Sequence, residues 1–153
     1  MLTGFAGNVV TIQGELGMTD LKEVVEAMFG GLRAGADVDA LVDRYMAEDF
    51  VEHEALPGLD STREAPRQMF KMLLSAFPDF RAEIQDVLQD GDKVAVRATF
   101  SGTHEGEFMG MPASGNRFEI NVMDMMQFRD DKCVAHWGVM DAAAMMEQLG
   151  AAH

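Results

Sequence analysis

An α+β domain is the fold class that this sequence predicts, with helices packed on one face of a curved antiparallel sheet. Three observations predict it. Apolar residues recur at helical spacing up to Pro78, and beyond it they alternate with polar ones. Short acidic turn signals separate the alternating runs, which is the pattern of hairpins.

The first helix is read from Leu21, Val24, Val25, Met28, Phe29 and Leu32, which fall on one stripe. Asp20 and Glu23 suit its start, and Gly35 lies beyond its end. Asp37 opens a second, shorter helix with Val38, Leu41, Val42, Tyr45 and Met46 on one side. A capping box at Ser61 and Glu64 begins a third helix, whose stripe of Ala65, Met69, Phe70, Leu73, Leu74 and Phe77 is stopped by Pro78. Strands are expected over about 80–89, 93–104, 117–129 and 132–140, with turns at Asp90-Gly91 and Asp130-Asp131. Gly110 to Gly115 form a longer loop between the middle strands, and Asp141 caps a last short helix carrying Met145, Met146 and Leu149.

Length and charge narrow the function classes. With 153 residues the chain suits one domain around one core, read as residues 19–153, with residues 1–18 as an N-terminal arm or extra strand. A formal net charge of −14 repels phosphate backbones and anionic lipid heads, so neither nucleic acid nor a membrane surface is an expected partner. No run approaches the roughly 18 apolar residues that span a bilayer. Cys133 is the lone cysteine and suits a reducing cytoplasm.

Among candidate site residues Asp124 is the most informative. It shares a strand face with Phe118, Ile120, Val122, Met126 and Phe128, where alternation calls for an apolar side chain. A carboxylate there is either partnered or lines a cavity, and that environment suits a general acid or base; the competing reading is a solvated strand end. His136 lies one hairpin away and alternates with Val134, Gly138 and Met140, while Trp137 occupies the other face with Cys133, Ala135 and Val139. Either face could look into the sheet's concave side. His53 and Glu54, before the Pro57-Gly58 turn, sit at a pocket mouth or on an exposed loop. Met109, Met111, Met123, Met125 and Met126 are core filler or an adaptable apolar wall. His104, Glu105 and Glu107 could ligate a metal, but no second histidine stands near them, and a polar turn is the simpler reading. No metal is expected.

The run Gly102-Thr103-His104-Glu105-Gly106-Glu107-Phe108-Met109-Gly110-Met111-Pro112, followed by Gly115-Asn116-Arg117-Phe118, resembles the stretch linking two strands in SnoaL-like polyketide (ester) cyclases. Ala76-Phe77-Pro78-Asp79-Phe80 and Ala135-His136-Trp137-Gly138-Val139-Met140-Asp141 are similar to the same family, and the likeness runs over about 19–150. It implies the nuclear transport factor 2-like fold, an α+β barrel in which a cone-shaped bent sheet and its helices enclose a pocket. It also implies cofactor-free acid–base chemistry, an intramolecular aldol closure of a hydrophobic, carbonyl-bearing small molecule. The family's last-strand aspartate falls at Gly138 here, its polar residue on the preceding strand at Asp124, and its early pocket amide near Glu52 or His53.

The expected site therefore has Asp124, His136 and His53 as catalytic residues and Glu52, Trp137, Met109, Phe108, Val122 and Met126 around the ligand. Epoxide hydrolysis or isomerisation on the same scaffold, and a non-catalytic carrier, remain alternatives. Apolar residues of both parities over 117–140 predict a homodimer.

Overall fold

The computed structural model of the chain describes residues 20–151, so the N-terminal arm expected over residues 1–18 lies outside the described residues. Helix α1 (Leu21–Gly31) starts where the Asp20 carboxylate accepts from the Lys22 and Glu23 amides, and it buries Leu21, Val25, Met28 and Phe29. Helix α2 (Val38–Tyr45) repeats the device, with Asp37 accepting from the Ala40 amide at 3.0 Å. It leads without a break into strand β1 (Met46–Glu52), a short element that the helical reading of Tyr45 and Met46 did not separate.

Helix α3 (Glu64–Ala76) begins later than the expected capping box, and Arg63 caps it without a side-chain bond. The reason is Pro66. A helix capped at Ser61 would need an amide donor at position 66, whereas a start at Glu64 places the proline in the first turn, where no donor is required. The local acceptors shift accordingly: Asp60 receives the Thr62 amide and hydroxyl, and the Thr62 hydroxyl accepts from the Glu64 amide. Arg67 then ties α3 to α2, donating to Asp39 and Asp43 at 2.8 and 2.7 Å.

Beyond Pro78 the period-two pattern forms strands β2 (Arg81–Asp90), β3 (Lys93–Thr103), β4 (Arg117–Arg129) and β5 (Lys132–Met140), followed by helix α4 (Ala142–Gln148). The strand order is β1-β5-β4-β3-β2, with antiparallel pairing from β2 through β5. Strand β1 joins β5 in parallel, Val51 opposite Ala135 and Glu52 opposite His136, so the sheet is mixed at that edge. It is curved and does not close. Register shifts that leave extra residues in β1, in β2 and, at Val134, in β5 are of the kind that bend strands.

The inward parities of β3 and β4, among them Val94, Val96, Ala98, Phe100, Phe118, Ile120 and Val122, are buried under the helices. Phe77, at the end of α3, is fully buried and packs edge-on against Phe108 and Phe118 with centroids 5.2 and 4.7 Å apart. This cluster occupies one end of the core. At the other end, between α1, α3 and the β1–β5 edge, a cavity of about 100 Å³ remains.

Candidate functional site

The cavity wall is mostly apolar. Met28, Phe29 and Leu32 come from α1, Met69 and Phe70 from α3, and Phe100, Val122, Met126 and Met140 from the sheet. Its polar groups are Glu52, Glu54, Asp124 and His136. Among the described residues no lysine or arginine lines it.

Three of these polar side chains form one connected unit. Glu52 ends β1, and the parallel register sets it beside His136, whose Nδ1 lies 2.8 Å from both Glu52 carboxylate oxygens. On the other side of the ring, His136 Nε2 is 3.0 Å from Asp124 Oδ1. Glu52 Oε1 also accepts the Glu54 amide at 3.0 Å, which fixes the carboxylate from behind. Glu52 and Asp124 are only 7% and 10% exposed.

Burial by itself pushes the His136 imidazole down, but the hydrogen bonds to Asp124 and Glu52 outweigh it and carry the pKa up to about 10. At neutral pH the ring is an imidazolium that donates Nδ1–H to Glu52 and Nε2–H to Asp124. Both ring protons are thus committed to the protein, and His136 has no lone pair with which to accept another. Asp124 is different: its Oδ2 accepts no hydrogen bond among the described residues, and the side chain lines the cavity. Cys133 lies beside this unit with its thiol pushed up to about 12 by burial and by the nearby carboxylates, so it is not a thiolate nucleophile.

The structure brings Asp124, His136, Glu52, Val122 and Met126 to one wall and leaves the other expected residues elsewhere. Trp137 has the opposite parity to His136 and faces away from the cavity, where the exposed His53 ring stacks on it at 4.5 Å. Phe108 is buried in the Phe77 cluster, and Met109 is exposed at the tip of a tight turn. Met123 and Met125 also point outward, because the even positions of β4 are the ones that face the helices. His104 is fully buried against Phe77, with Nδ1 2.9 Å from the Ser114 hydroxyl; it fastens the β3–β4 loop instead of standing with Glu105 and Glu107. Glu54, read from the sequence only as a neighbour of His53, lines the cavity. Its signal was the Pro57-Gly58 turn, which folds that segment back.

Among curated proteins no sequence matches the chain. TsrD from Streptomyces laurentii is similar in structure with a TM-score of 0.76 and 27% identity, covering 90% of this chain and 100% of that one. IdmH from Streptomyces antibioticus, described as a candidate polyketide cyclase, is 32% identical with a TM-score of 0.73 over 86% of this chain and 99% of its own. AclR from Streptomyces galilaeus, described as a candidate hydroxylase, is 25% identical with a TM-score of 0.76 over 88% of this chain and 83% of its own. The bent sheet, the helices over it and the last-strand segment around His136 all fall within residues 22–149, which match the model of one family: the chain belongs to the SnoaL-like polyketide cyclases.

Proposed function

We propose that the protein is a cofactor-free acid–base enzyme that closes or isomerises a hydrophobic, carbonyl-bearing small molecule, with Asp124 as the group that moves the proton. The observation that carries this reading is the state of Asp124: nine-tenths buried in an apolar wall, one oxygen held by an imidazolium, the other without a partner among the described residues. Such a carboxylate is pre-aimed at a ligand, and an acid–base group so placed contributes a factor on the order of 100 or more. Oδ2 takes a proton from the carbon next to a carbonyl. The enolate carbon then attacks a second carbonyl of the same molecule, and the alkoxide formed recovers the proton from Asp124. The atoms balance without an oxidant or a metal. His136 and Glu52 act through Asp124: the imidazolium fixes the carboxylate's orientation and balances its charge. Val122 and Met126 form the apolar floor.

The test is Asp124→Asn, which keeps shape and removes the proton-transfer group. Turnover of ring-closing β-polyketone esters should fall on the order of 100-fold while the domain stays folded. Unchanged turnover would sink the role.

A carrier reading is favoured by one observation, the glycine at position 138 where the family's last strand has its aspartate. Native mass spectrometry of the purified protein distinguishes the two, since a carrier releases the compound it bound unchanged. We further propose a homodimer formed through the outer face of the sheet, where Val51, Met123, Met125 and Val139 are exposed together. The single, buried Cys133 fits a reducing compartment such as the cytoplasm, and no helix among the described residues is long and apolar enough to cross a membrane.

A further inference from the structure

Gly138 stands directly across the β4–β5 ladder from Asp124. Its φ is not among the positive ones, so the strand backbone there suits any residue and does not call for glycine. Space does. A β-carbon at position 138 would fall 2.5 Å from Asp124 Oδ1 and 2.6 and 2.8 Å from His136 Cε1 and Nε2. Those are the atoms on either side of the Asp124–His136 hydrogen bond. The three atoms nearest to such a β-carbon all belong to this one pair.

We propose that Gly138 is a positioning residue, whose missing side chain admits the Asp124 carboxylate onto His136 and so makes β4, not β5, the strand that presents a carboxylate to the cavity. The two positions are cross-strand partners, and side chains from such a pair reach the same point of one face. The carboxylate has crossed the ladder, and the glycine is the condition for that crossing. The functional half of this inference rests on the acid–base reading of Asp124, while its geometric half does not.

The experiment therefore reads His136 in the ligand-free protein. Long-range proton–nitrogen spectra of the imidazole are followed through a pH titration in wild type, Gly138→Ala, Asp124→Asn and the double variant. His136 bonds Glu52 and Asp124, with the buried Cys133 thiol nearby and the Glu54 carboxylate on the same cavity wall, and these are the titratable groups around it. Wild type should hold both ring protons up to about pH 10. Gly138→Ala should lower the proton affinity of His136 by about tenfold or more, one unit of pKa. The double variant should fall no further than Asp124→Asn alone, because both substitutions break one bond.

A His136 titration in Gly138→Ala that coincides with wild type would overturn the proposal, as would full additivity in the double variant. If Gly138→Ala does not fold, adding Asp124→Ala should restore folding by vacating the crowded space, and failure to do so also overturns it. The acid–base reading fails on a different result, unchanged turnover in Asp124→Asn. Either inference can thus fall while the other stands.

Discussion

His136 is a cation held between two carboxylates in an apolar wall, and its protonation is coupled to folding. Its folded pKa, about 10, lies above the ordinary histidine value of 6.5. The stabilisation is therefore complete below about pH 6.5 and is lost as pH rises through about 10. Replacing His136 by Gln removes the cation and leaves Glu52 and Asp124 as neighbouring buried carboxylates, which should cost about 3–5 kcal/mol at neutral pH. Between pH 7 and pH 10 the gap between wild type and His136→Gln, read by urea unfolding, should narrow. A gap that widened would mean that the ring is neutral in the folded state. Of this unit, the sequence made Asp124 legible, because a carboxylate interrupts the apolar parity of β4. Its bond to His136 was foreshadowed by the single hairpin between them. Glu52 carried no signal as a partner of His136, since they are 84 residues apart and only a parallel edge pairing joins them.

At the level of elements, periodicity located β2 to β5 to within a residue at each end, because alternation over nine residues or more has no helical counterpart. Strand β1 is shorter and abuts α2, so its first residue, Met46, continues the helical stripe and hides the change of period. The junction of α3 with the sheet depends on Phe77, fully buried between Phe108 and Phe118 and tilted against His104. Phe77→Ala should destabilise the domain by about 3–5 kcal/mol, the usual cost of emptying a large aromatic site. Denaturant unfolding checks it, and a loss below about 1 kcal/mol would show that the cluster collapses into the space. Because the cavity lies at the opposite end of the core, the arrangement of Asp124 and His136 should survive in whatever fraction stays folded.

For the whole molecule, a sheet covered by helices on one face leaves the other to solvent or to a partner. Here that outer face carries Met123, Met125 and Val139 on adjacent strands, with Val51 on the next, and the His53–Trp137 stack lies among them. Light scattering at micromolar concentration should give twice the 16.8 kDa chain mass; a monomer alone would rule out the dimer. Met123→Glu or Met125→Lys should dissociate it while leaving the cavity intact, since both side chains point away from Asp124 and neither lines the cavity. The sequence by itself determined the α+β class, the order of helices before strands and which residues of each strand share a face, because these follow from local periods and turn chemistry. Only the tertiary structure decided which face of β5 looks inward. It alone also paired β1 with β5, brought Glu52 to His136, and assigned the space above Gly138 to Asp124. Those outcomes depend on which strand lies beside which and on how the sheet bends, and contacts between distant segments leave no trace in the spacing of residues along any one of them.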